Sequence, residues 1–101
     1  MDTEQLILRH RARLEHAAAR RILKEKYEAR LMFAWNGGMF RATPEMITFL
    51  SLYNDQDIVV QDLYENPVQI NAKQVCDVMK SKWQEQMNAW LIEFEQLNQQ
   101  R

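Results

Sequence analysis

Every glycine and proline in the chain lies between residues 37 and 67: Gly37, Gly38, Pro44 and Pro67. The two flanking stretches therefore contain none of the residues that most readily stop a helix. This distribution predicts two long terminal helices bracketing a middle built from short elements. Asp2 with Gln5, and Asn71 with Gln74, have the spacing of capping boxes and mark the two helix starts. A helix from there to the C-terminus would span ~43 Å. In the first helix Leu8, Ala12, Ala19, Leu23, Tyr27 and Leu31 recur near the helical period, with Ile7, Leu14, Ala18 and Ile22 beside them. The pattern predicts a wide buried face. Ala17, Ala18 and Ala19 add little bulk there, so a second helix is expected to cross closely at that point.

The middle reads as two hairpins around a short helix. Residues 31–42, LMFAWNGGMFRA, place two apolar runs about a segment that readily takes positive φ. Leu31 to Trp35 are not strongly β-branched, so an extension of the first helix stopped by Gly37 competes with the hairpin. Thr43, Pro44 and Glu45 supply an N-cap, a first-turn proline and an acidic first turn for the short helix. Ile58, Val59 and Val60, then a Glu65-Asn66-Pro67 turn and VQIN, form the second hairpin. The expected fold class is α+β, in the order α, ββ, α, ββ, α. At 101 residues and 12.1 kDa the chain has material for one domain, residues 1–101. With 47% hydrophobic and 10% aromatic residues it is expected to be ordered.

Several chemistries find little support. Cys76 is the one cysteine, which rules out an intrachain disulfide and fits a small buried apolar residue in a reducing compartment. His10 and His16 sit six residues apart, about 240° around a helix, so they do not converge on a metal. Asp55, Asp57, Asp62 and Glu65 do not match a calcium loop, and Asp55 and Asp57 beside Asn54 read as turn residues. Gly37 and Gly38 do not make a phosphate cradle, and no nucleophile elbow is present. The expectation is no enzyme, no metal and no cofactor. No apolar run suits a signal peptide or a bilayer span, so a soluble intracellular chain with no membrane partner is expected.

Charge is unevenly divided. Residues 1–31 hold eight Lys or Arg against five Asp or Glu, whereas residues 32–101 hold five against nine. Arg9, Arg13, Arg20, Arg21 and Lys24 could follow a phosphate backbone, which makes nucleic acid a candidate partner. The overall pI of about 6.1 argues for the simpler reading, a solvated helix face or one oriented against an acidic protein surface. In the last helix Trp83, Met87, Trp90, Phe94 and Leu97 fall at intervals of four, three, four and three. That stripe needs an apolar partner: the chain's own first helix, a second copy in a homo-oligomer, or another protein.

Four segments carry a family resemblance: MDTEQLILRHRARLEHAAARR, GGMFRATPE, DLYENPV and WQEQMNAWLIEFEQL. In them the chain resembles small uncharacterised proteins of tailed cyanophages. The resemblance brings no activity or functional residues with it. It implies an accessory, assembly or virion-associated phage protein made in the host bacterial cytoplasm.

Overall fold

The computed structural model describes residues 2–99. Helix α1 spans Thr3–Ala29, and Asp2 caps it by accepting the backbone N–H of Gln5 at 2.8 Å. Strands β1 (Met32–Trp35) and β2 (Gly38–Arg41) follow, then α2 (Pro44–Ser51), β3 (Asp57–Gln61), β4 (Pro67–Asn71) and α3 (Ala72–Gln99). This is the α+β arrangement of two long terminal helices, two antiparallel hairpins and a short central helix. Each hairpin is a separate two-stranded sheet.

At residues 32–41 the turn chemistry outweighs the weak strand propensity. Asn36 and Gly37 take φ of 48° and 80°, the positive pair that a type I′ turn requires, and Trp35 pairs with Gly38 across it. A helix extension would have carried Phe40 away from the core, where it is instead buried beside Leu31, Val68 and Ile70. Gly38 is needed for space: a Cβ there would stand 2.8 Å from Val68 Cγ2 and 3.2 Å from Asp62 Cβ. A side chain at this position would hold the two hairpins apart.

Asp62 fastens one hairpin to the other. Its carboxylate accepts backbone N–H groups from Met39 at 3.0 Å and from Tyr64 and Asn66, both at 2.9 Å. Led by the Met39 and Asn66 donors, these bonds hold the carboxyl below its ordinary range. The backbone N–H of Leu63 adds a 2.8 Å bond to the Met39 carbonyl, and Asn36 Nδ2 reaches the Gln69 carbonyl at 3.0 Å. Two sheets that share no ladder thus become one base.

The helices that close this base start on side-chain caps. Thr43 Oγ1 accepts from the Met46 N–H at 3.1 Å, and Asn71 Oδ1 from the Gln74 N–H at 3.0 Å. Helix α2 packs along α3, and the core gathers Leu31, Phe40, Ala42, Leu50, Val68, Ile70, Ala72, Val75, Cys76 and Met79. Asp55, in the turn after α2, and Asp57, which opens β3 instead of lying in the turn, accept from Asn71 Nδ2 at 3.0 and 3.1 Å. Cys76 is buried.

Beyond the base, α1 and α3 form an antiparallel pair, and the molecule measures 65 × 24 × 19 Å. The pairing corrects the wide buried face expected for α1. Leu31 and Tyr27 are buried and Leu23, Ala19 and Ala18 half-buried, but Ile22, Leu14, Leu8 and Ile7 are exposed. One neighbouring helix covers only one side of α1, so the apolar positions on its other side stay in solvent.

Candidate interaction surface

The aromatic stripe of α3 divides along its length. Trp83 and Met87 pack against the hairpin core, continuing the line of Val75 and Met79. Trp90 lies against α1, its ring stacked on that of Tyr27 with centroids 6.4 Å apart and planes 9° from parallel. Leu97 lines a shallow cleft together with Ala19, Leu23, Glu93 and Gln96. All five stripe residues, Phe94 included, are half-buried. The C-terminal part of the stripe is therefore the seat of the chain's own first helix, with an edge left open to solvent.

A polar contact locks this seam. Tyr27, 1% exposed, donates its hydroxyl proton to Glu93 Oε1, which also accepts from Lys26 Nζ at 2.8 Å. The Lys26 and Tyr27 donors hold the Glu93 carboxyl below its ordinary range. The carboxylate in turn pushes the Tyr27 phenol up, with burial adding to the effect. Lys26 Nζ and the Arg30 guanidinium each sit 5.2 Å from the Tyr27 ring centroid. This is where cations of the basic first helix meet a carboxylate of the last one.

The pairing runs out before α1 does. Contacts step from Tyr27 with Trp90 to Ala19 with Leu97, so α3 reaches Gln99 level with the middle of α1. Every residue from Thr3 to Glu15 is exposed. Leu6, Ile7, His10, Arg11 and Leu14 share one side of this arm, with Leu6 54%, Ile7 53% and Leu14 58% exposed, and Ile22 further along is 64% exposed. At about 100° per residue, Ile7, Leu14 and Ile22 lie some 140–160° around the helix from Tyr27. They form a second apolar side, facing away from α3. Their periodicity was visible in the sequence, but it was merged with that of Tyr27 and Leu23.

The basic candidates are also only partly gathered. Arg9, Arg13, Arg20 and Lys24 recur at intervals of four, seven and four, which keeps them within about 60° of one another. Arg21 falls off this row. All five are exposed, and among the described residues the one ion pair they make is Lys24 with Glu28 at 3.5 Å. His10 is exposed and His16 half-buried on another side of the helix. Among the described residues no three His, Cys, Asp or Glu side chains come together as a metal site. No described helix is long and apolar enough to cross a membrane.

Compared with known proteins, the chain matches no family model, no curated protein and no solved structure.

Proposed function

We propose that this protein is a non-enzymatic interaction module that works by self-association. The observation that carries this reading is the arm of α1: Thr3 to Glu15 form regular helix with every side chain exposed. A helix of that length is marginal when isolated in water. Leu6, Ile7 and Leu14 add an apolar side that nothing in the described chain covers. A second copy would stabilise the arm and remove that surface from water together. The open edge of the Trp83, Met87, Trp90, Phe94 and Leu97 stripe offers the same copy, or another protein, a further contact. In view of the resemblance to cyanophage proteins, the natural setting is phage assembly or an accessory or virion-associated role in the host cytoplasm.

Solution mass by light scattering over a concentration series, at low and moderate salt, tests the reading. Self-association gives a multiple of 12.1 kDa that persists as salt rises, because apolar contacts are not weakened by screening. A monomer at every concentration and salt would refute it.

One observation favours a second reading. The exposed row of Arg9, Arg13, Arg20 and Lys24, with Arg21 beside it, suits a nucleic-acid phosphate backbone. On that reading a monomer gains mass when a short DNA duplex is added and loses it again at moderate salt.

A further inference from the structure

The outward side of α1 carries a second pattern once its exposed residues are separated from those facing α3. Glu4, Ile7, Arg11, Leu14, Ala18 and Arg21 follow one another at intervals of three, four, three, four and three, the seam spacing of a two-helix coil. All are exposed except Ala18, which is half-buried. The row lies on the side of α1 opposite Tyr27, so a helix seated on it does not compete with α3. From Glu4 to Arg21 it runs about 26 Å.

Charge decides what fits there. A parallel copy in register would set Glu4 against Glu4, Arg11 against Arg11 and Arg21 against Arg21, three like-charge layers in a short seam. An antiparallel copy centred between Arg11 and Leu14 removes all three. Resting on the proposal of self-association, we infer that α1 pairs with α1 of a second copy as an antiparallel two-helix coil. In this register Glu4 faces Arg21 of the second copy, Ile7 faces its Ala18 and Arg11 faces its Leu14. The two-fold axis repeats each pairing.

Each layer has a physical reason. Glu4 and Arg21 make an ion pair at each end of the seam. Ala18 leaves room for Ile7 and lets the backbones approach, as small residues do at a close helix crossing. Arg11 lays its aliphatic stem over Leu14 of the second copy and extends its guanidinium toward Glu15 of that copy. Leu8 and Ile22, 61% and 64% exposed, flank the seam on one shoulder. The arm thereby receives an apolar neighbour that no described residue of α3 provides.

Charge-swap variants of the full chain, read by light scattering and sedimentation, test the register. Glu4→Arg alone places Arg opposite Arg, and Arg21→Glu alone places Glu opposite Glu. Each is expected to weaken the dimer roughly tenfold or more, and the double variant to regain most of the loss. Glu4→Arg also opposes the helix dipole, but the double variant carries that effect too, so recovery must come from the pairing. A parallel coil gains nothing from the double swap.

A chain carrying both Ile7→Cys and Ala18→Cys gives a second readout. Within one helix these positions are about 16 Å apart, too far for a disulfide. Oxidation is therefore expected to yield a covalent dimer from this chain, and from neither single-cysteine variant nor the native chain with its buried Cys76. A dimer that ignores the swaps and does not cross-link between residues 7 and 18 would overturn the register while leaving self-association standing. Monomers throughout, including the native chain, would overturn both.

Discussion

The two ends of this molecule solve the burial problem differently. In the base, two hairpins, α2 and the start of α3 enclose Leu50, Ile70, Val75 and Met79 almost completely, and Asp62 satisfies three backbone donors within the chain. In the arm, α1 from Thr3 to Glu15 encloses nothing. Both regions are made of well-formed, side-chain-capped elements, so local signals do not separate them. What separates them is how many neighbours each element has. Helix α3 has β4, α2 and α1 beside it at one stage or another, whereas no described residue covers the start of α1. The start of α1 is thus a well-formed helix whose apolar side no described residue covers.

Breaking the base should have the largest effect. Met79 is fully enclosed, and Met79→Ala is expected to cost ~2–5 kcal/mol in urea unfolding, through lost contacts and the cavity left behind. At the seam between base and arm, Trp90→Ala removes the half-buried ring stacked on Tyr27. A loss of about 2 kcal/mol is expected, below the range for full burial. It should also weaken association, because α1 is then held less firmly. An unchanged melting temperature and mass would remove Trp90 from the account.

Acid should loosen both regions, through different residues. The folded-state carboxyls of Asp62 and Glu93 titrate below their ordinary values of 3.8 and 4.5. Their stabilisation is therefore full above those values and is lost as pH falls through the lower folded-state values. In melting curves across this window, Asp62→Asn should flatten the acid dependence contributed by the hairpins, and Glu93→Gln that contributed by the seam. The Tyr27 phenol, raised above 10.0, contributes in the opposite sense, fully below that value and decreasingly as pH climbs through its folded-state value.

The smallest effect on folding belongs to the arm. Leu14→Glu replaces an exposed side chain and should change the stability of the monomer by no more than ~0.5 kcal/mol. The same substitution should abolish association, a contrast that no residue of the base can produce.

The sequence shows the elements more clearly than their environments. Capping residues Asp2, Thr43 and Asn71, and the Asn36-Gly37 turn, each act within a few residues of chain, so their signals are local. Asp62 could not be singled out from Asp55, Asp57 and Glu65, because its donors include Met39, 23 residues away. Periodicity likewise presents the two sides of α1 as one wide face. Periodicity reports that Ile7, Leu14 and Ile22 are apolar at helical spacing, but not that the described residues of α3 leave the arm uncovered. For the same reason the Trp83 to Leu97 stripe was legible as a contact surface while its occupant was not. Tyr27 and Glu93, 66 residues apart, meet through the antiparallel pairing of α1 and α3.

Amide hydrogen exchange, followed residue by residue over a dilution series, tests the central claim most directly. If a second copy covers the arm, protection of residues 5–16 should be slight in dilute solution and rise steeply with protein concentration, whereas residues 68–80 should already be strongly protected at the highest dilution. Protection of the arm that is the same at every concentration would mean that α1 stands without a partner, and would contradict the account.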